Sequence, residues 1–262
     1  MIFLTMLPLW LSGLLLVGLG TVLGMAGTII VRHKVGLEKL GTNNEVAGFK
    51  FATVGVLYAV LLAFAVIVVW EKFNDADSAV SHEAAAATTI YRLSQGLGDQ
   101  PGTALREHLT DYLNAVIAAD WPAMESGQSS PAATKALNEL YGALVTFNPG
   151  DRRSANLMAE ILHQLDAITE ARRDRLVLAA GAMPNVIWLT LVVGAVLTVA
   201  FTFFFGTKNL LAQVLMTGAL SILIFSGLLI IVAIDHPFSG SVKVEPDAIQ
   251  AVLQDFTEPL RP

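Results

Sequence analysis

The stretch that decides the fold is FATVGVLYAVLLAFAVIVVW, Phe51–Trp70, followed without interruption by EKFNDADSAVSHEAAAATTIYRLSQGL, Glu71–Leu97. Its first part holds 20 residues without Asp, Glu, Lys or Arg. As a helix that is enough to cross a hydrocarbon core of about 30 Å. The second part is charged, contains no Pro and has its first glycine at Gly96. Ala84–Ala87 repeats the strongest helix former. With no stop signal at the boundary, the spacing predicts one rod that leaves the membrane and continues into water. Residues 51–97 would then measure about 70 Å at 1.5 Å per residue.

Three more uncharged stretches accompany it: Ile2–Val31, Leu176–Thr207 and Asn209–Ile234, of 30, 32 and 26 residues. The chain of 262 residues is 54% hydrophobic and 15% charged, with a mean hydropathy of +0.62. Soluble globular chains carry about 25% charged residues. A secreted, cytosolic or nucleic-acid-binding protein is excluded, and an integral membrane protein of four spans remains. The first stretch lacks a basic leader region, and its apolar run is about twice that of a signal peptide. It reads as a retained helix from about Pro8 to Val31, thinned by Gly13, Gly18, Gly20, Gly24 and Gly27 for close packing and closed by Arg32-His33-Lys34.

The remaining punctuation sets the layout. A loop is expected over 32–50. Pro101-Gly102 opens a helix with Leu105, Leu109, Tyr112, Leu113, Val116 and Ile117 on one face, ended by Trp121-Pro122. Ser130-Pro131 caps another, with Leu137, Leu140, Tyr141 and Leu144 on one face. Asp151 caps a third, where Leu157, Ile161, Leu165 and Ile168 repeat at helical spacing. This third helix mirrors the first rod, runs into the third span past a kink at Pro184, and meets the membrane edge at Arg172, Arg173 and Arg175. A tight hairpin at 206–209 joins spans three and four, and Asp235-His236-Pro237 stops the fourth. The tail ends in a short amphipathic helix bearing Ile249, Val252, Leu253 and Phe256. The expected fold is all-α: spans one and two over 1–70, an extramembrane helical bundle over 71–175, spans three and four over 176–234, and a tail over 235–262. Two level antiparallel rods would set Glu71 against Arg175 and Asp75 against Arg172 as structural ion pairs.

The formal net charge of −6 is uneven. Segment 71–175 holds 9 basic and 15 acidic residues, whereas loop 32–50 with Lys208 holds 5 basic and 2 acidic. Basic residues gather at membrane edges, and no basic groove for nucleic acid appears. With no cysteine, disulfides, thiolate metal sites and cysteine nucleophiles are excluded. His82 and His108 lack a second ligand at the right spacing, so no metal site is expected. No G-x-S-x-G elbow, P-loop or dinucleotide fingerprint occurs. No catalytic residue, enzymatic activity or cofactor is expected. Spans free of ionisable residues also argue against a proton pump or ion-coupled transporter.

The second span has two unlike faces. Gly48, Ala52, Gly55, Ala59 and Ala63 form a stripe of small residues, suited to packing within the protomer or between subunits, or to the wall of a wide pore. Thr53, Leu57, Leu61, Phe64 and Val68 form a bulky line, with Lys50 at one end and Glu71, Asp75 and His82 at the other. Apolar rings with charges at both mouths suit a gate that closes by dewetting. A lipid-facing surface gives the same pattern.

The run Gly55-Val56-Leu57-Tyr58-Ala59-Val60-Leu61-Leu62-Ala63-Phe64 with Trp70, Glu83-Ala84 on the rod, Arg172 and Arg175, Pro184 with Trp188, and Asp235-His236-Pro237-Phe238-Ser239-Gly240 together resemble the bestrophin-like domain family of bacterial membrane proteins. The resemblance covers nearly the whole chain. Through it the chain is more remotely similar to bestrophins, pentameric anion channels with a long pore. The resemblance implies that the second span lines a central pore, with Thr53, Leu57, Leu61, Phe64 and Val68 as lining residues and Lys50, Glu71 and Asp75 at the mouths. No acidic calcium clasp like that of the animal bestrophins is seen, so calcium gating is not implied. The leading expectation is a homo-oligomeric, pentameric channel for small ions in the lipid bilayer of a bacterial inner membrane. Basic residues near the two membrane edges tie at five each; Arg32-His33-Lys34 after the first span favours termini outside, whereas the resemblance places the termini and the helical bundle in the cytoplasm. The alternative is a non-conducting scaffold or sensor whose helical bundle binds a partner.

Overall fold

Gly36 is the first hinge of the chain, with φ of +80° that favours glycine. Before it, α1 runs Leu9–Val35, with a π-helical turn at Leu14–Leu19. After it, the short α2 runs Leu37–Thr42 and α3 runs Asn44–Ser94. The expected 32–50 loop is therefore mostly helical. Asn44 fixes the start of α3: its Nδ2 donates to the Gly206 carbonyl at 2.7 Å, and its Oδ1 accepts from the Gly206 N–H at 3.0 Å. This computed structural model describes residues 7–42, 44–181 and 183–257. The first five residues of the Ile2–Val31 stretch and the last five of the tail lie outside the described residues.

α3 is one unbroken helix of 51 residues, and a 3-10 turn at Gln95–Leu97 extends it. The fold is all-α, with helices long and apolar enough to cross a membrane at Leu9–Val35, Asn44–Leu97, Asn185–Phe204 and Leu210–Ile234.

The chain forms two compact units. Unit one takes Met1–Glu71, Ala182–Asp235 and Gly240–Val242. Here α8 (Asn185–Phe201) and α9 (Leu210–Ile234) join α1 and the first part of α3. α1 and α9 run antiparallel in a matched four-residue register: Gly20 meets Phe225, Gly24 meets Ser221, Thr28 meets Thr217 and Arg32 meets Gln213. A Cβ on Gly24 would fall 2.7 Å from the Ser221 Oγ, so the close approach needs glycine there. Arg32 ends this seam by donating to the Thr207 carbonyl at 2.6 Å, the Gln213 Oε1 at 3.1 Å and the Lys208 carbonyl at 3.2 Å.

Unit two takes Lys72–Gly181, His236–Ser239 and Lys243–Pro262. It contains the rest of α3, α4 (Asp99–Ala115) with a π-helical turn at Val116–Asp120, α5 (Trp121–Met124), α6 (Pro131–Val145), α7 (Arg152–Ala179) and α10 (Asp247–Thr257). The expected apolar faces build its core: Leu105, Leu109, Tyr112 and Leu113 of α4, Leu137, Leu140 and Leu144 of α6, and Ile161, Leu165 and Ile168 of α7 are buried. Ser130 caps α6 by accepting from the Ala132 N–H at 3.1 Å. Asp151 caps α7 by accepting from the Ser154 N–H at 2.6 Å, and that bond holds its carboxyl below the usual carboxylate range. α10 buries Ile249 and Val252, and Phe256 stacks on Tyr91 with ring centroids 3.8 Å apart.

The second rod differs from the expectation. α7 ends at Ala179 instead of running on to a kink in the third span. Gly181 adopts φ of +103°, and Pro184 is the extended N-cap of α8. A left-handed residue followed by proline ends a helix rather than bending it.

Candidate functional site

In unit one, one side of α3 packs against its own chain. Tyr58, Ala65 and Val69 are buried there, and the Tyr58 ring lies against Gly194 of α8. At about 100° per residue, Val56, Val60 and Ile67 fall on the opposite side, with Phe64 beside them. These four are 63%, 50%, 51% and 64% exposed, so none of the described residues covers this strip.

The bulky line expected from the sequence lies on one flank of that strip. Thr53, Leu57, Phe64 and Val68 are exposed, and Leu61 is half-buried. Leu57 and Leu61 turn toward α8, where with Val54, Tyr58, Leu189 and Val193 they line an apolar groove of about 510 Å³. The small stripe lies on the other flank. Ala52, Ala59 and Ala63 are exposed, and a Cβ on Gly55 would meet nothing within 4 Å. Among the described residues, packing inside the protomer reaches this stripe at Gly48, half-buried with a Cβ there 4.0 Å from the Phe205 ring, and not at its exposed alanines. Of the mouth candidates, Lys50 and Glu71 are exposed, and Asp75 pairs with Lys72 at 3.0 Å.

Unit two encloses a second constellation, and it replaces the expected ion pairs. Arg172 pairs with Asp120, its Nε 2.7 Å from Oδ2. Arg175 pairs with Glu83, its Nε 2.9 Å from Oε2 and its Nη2 3.2 Å from Oε1. The Arg175 Nη2 also lies 3.6 Å from Asp120. Neither Glu71 nor Asp75 is the partner. The reason is the α7 stripe itself: Ile161, Leu165, Ile168, Arg172, Arg175 and Ala179 follow one another at steps of three and four, so both arginines continue the buried face. Only Arg173 of the basic cluster points outward.

Further contacts hold this cluster. Tyr112 donates to the Glu83 Oε1 at 2.5 Å, and Asp120 accepts from the Ser130 N–H at 2.8 Å. Arg172 also donates to the Thr134 hydroxyl at 3.1 Å. The Arg175 guanidinium lies 4.9 Å from the Trp121 ring centroid, and its Nη1 meets the Met124 sulfur at 3.1 Å. Two carboxylates and two guanidiniums leave no net charge, the condition for ions in a low-dielectric interior. Burial pushes the Tyr112 phenol well above the usual tyrosine range, and the Glu83 charge adds to this. Burial disfavours a charged Arg175, but Glu83, with smaller help from Asp120, holds its guanidinium above the ordinary arginine range.

The sequence carried a signal for this cluster. Glu83 sits in register with Ala76, Val80, Ala87 and Ile90, all buried. An acidic residue on the apolar stripe of one helix and two arginines on that of another call for each other inside a core. Among the described residues, no group of His, Asp and Glu is arranged to hold a metal.

An all-α fold with four helices long and apolar enough to span a membrane, the longest of them exposing an apolar strip, is the class these features define. A model of the Bestrophin-like domain matches residues 18–249, and the chain belongs to that family. Among solved structures it is similar to a single-residue variant of a bacterial Bestrophin homolog from Klebsiella pneumoniae, with a TM-score of 0.72 and 15% identity over 93% of this chain and 99% of that one. A second variant of the homolog gives 0.71 and 13% identity over 92% and 99%. A structure described as a membrane protein gives 0.69 and 15% identity over 93% and 99%. At these identities the likeness is one of fold. None of the curated proteins matches the chain.

Proposed function

We propose that the protein is an ion channel in which copies of α3 surround a shared axis. One observation carries this reading: an unbroken helix has one side packed on its own chain, and over Val56–Ile67 its opposite side is apolar, exposed and free of charge. When copies stand in a ring with the packed side outward, Val56, Val60, Phe64 and Ile67 face the centre and form an apolar constriction that dewets and closes. Phe64 belongs both to this strip and to the line expected from the sequence, and Thr53, Leu57, Leu61 and Val68 lie toward the neighbouring copy. Lys50 at one end and Glu71 and Asp75 at the other stand at the mouths. Assembly as a pentamer, selectivity for anions, residence in a bacterial inner membrane and a cytoplasmic unit two complete the proposal. The family membership and the resemblance to bestrophins support these.

The test is conductance of the purified full chain in planar bilayers, with subunit number read by native mass spectrometry. Phe64→Ala and Val60→Ala change unitary conductance or open probability severalfold, while Leu223→Ala, an exposed side chain of α9, does not. Electrically silent bilayers with a monomeric protein overturn the reading. A reporter fused after the tail gives the orientation.

A further inference from the structure

Arg173 is the one arginine of the 172–175 cluster that the core does not use. It is exposed, and among the described residues it makes no ion pair or side-chain hydrogen bond. It opens onto a concavity of about 420 Å³ whose wall also includes Gln128, Ser129, Thr169 and Arg172, with apolar sides from Leu176 and Val177. Two of the residues lining it are arginines, and none is a carboxylate. That contrasts with segment 71–175 as a whole, in which 15 acidic residues outnumber 9 basic ones.

The charges are sorted by helix face. Asp174, the next residue, lines a different groove with Lys72, Asp75 and His82. Arg172 and Arg175 are neutralised by Asp120 and Glu83, so Arg173 leaves this concavity with a net positive charge. The Arg172 Nε and Nη2 are committed to Asp120, and no bond from its Nη1 is found among the described residues. Donors beyond the guanidiniums come from the loop: the Ser129 hydroxyl and N–H and the Gln128 amide have no partner among the described residues. The loop is held in place, since the Gln128 N–H bonds the Ala123 carbonyl at 3.0 Å and the Ser130 N–H bonds Asp120 at 2.8 Å.

The geometry assigns to this concavity of unit two a binding site for a phosphate-type oxyanion, held by Arg173 and the 127–129 loop. A flat, forked guanidinium matches phosphate oxygens two at a time, and the neutral donors fit the remaining oxygens. The cavity is far larger than a halide needs. Exposed Val177 beside it, at 65%, gives an apolar flank that also suits the glycerol and upper acyl chain of a phospholipid. Free phosphate and an anionic lipid headgroup share the chemistry, and the experiment separates them. The proposal does not depend on whether the protein conducts.

The test uses the purified full chain in detergent. Inorganic phosphate is titrated at constant ionic strength against chloride, and phosphatidylglycerol retention is followed by native mass spectrometry against phosphatidylcholine. Arg173→Gln removes the charge from a surface side chain, and Arg153→Gln on the same helix is the control. Binding of phosphate, of phosphatidylglycerol or of both, weakened at least about tenfold by Arg173→Gln and unchanged by Arg153→Gln, bears the site out, about tenfold being the loss expected for a charge-assisted contact. Binding of phosphate alone assigns a free oxyanion, and lipid retention assigns a headgroup. No binding of either probe, or binding indifferent to Arg173→Gln, overturns the proposal.

Discussion

Replacing Glu83 with glutamine keeps the side-chain volume and removes one charge from a sealed site. Arg175 is 0% exposed and takes both of its Glu83 contacts, at 2.9 and 3.2 Å, from the same carboxylate. After the change its nearest countercharge is Asp120 at 3.6 Å, already committed to Arg172 at 2.7 Å. One carboxylate would then serve two guanidiniums, leaving a net positive charge in the core. Breaking a buried pair by removing one partner costs about 3–5 kcal/mol. Glutamine still accepts one hydrogen bond, so about 3 kcal/mol is expected. For a chain of this size that lowers the melting temperature by roughly 6–12 °C. The double variant Glu83→Gln with Arg175→Met restores neutrality and fills the space with an apolar chain, so it should be more stable than Glu83→Gln alone. Thermal unfolding in detergent can be followed by tryptophan fluorescence, since Trp121 lies 4.9 Å from the Arg175 guanidinium. A Glu83→Gln protein within about 0.5 kcal/mol of the parent, the range of an ordinary surface change, would refute the reasoning. So would a double variant no more stable than the single.

Two further outcomes follow from the same unit. Tyr112 has its phenol raised by burial and by Glu83, so it stays neutral in the fold while the unfolded chain ionises near pH 10; the stability this gives is present below that pH and is lost as pH climbs toward the folded value, and Tyr112→Phe flattens that alkaline loss in a pH series of melting curves. Gly102→Ala places a Cβ into the Ser94 carbonyl, a backbone atom that cannot swing aside. It should cost about 1–3 kcal/mol and speed amide exchange at the corner joining α3 to α4.

The four spans were legible because a run of 20 or more uncharged residues has one inexpensive solution, a helix across lipid. The stop of α7 was written in Gly181 and Pro184, yet a proline inside an apolar run reads as a kink unless the preceding glycine is known to be left-handed. The charged core was written too. Arg172 and Arg175 lie three residues apart on the stripe of Ile161, Leu165 and Ile168, and Arg173 lies off it. Proximity to a span drew all three toward a membrane-edge reading, whereas periodicity separated the two buried ones from the exposed one. What periodicity could not supply is the orientation of α3 in unit one. Apolar residues surround the helix there, because contacts with its own chain, with lipid, with a neighbouring copy and with a dewetting pore all select hydrocarbon. Only the side packed on the same chain breaks that degeneracy. Tyr58, Ala65 and Val69 fix one direction, and Val56, Val60 and Ile67 follow as its opposite. The same argument explains why Phe64 is the sharpest probe of conduction. It borders both the strip opposite the packed face and the bulky flank, so a change there registers whichever of the two faces the axis. Val60 responds only when the strip does, and Leu57 only when the flank does. Recording the three alanine variants side by side therefore reads the rotation of α3 about its own axis.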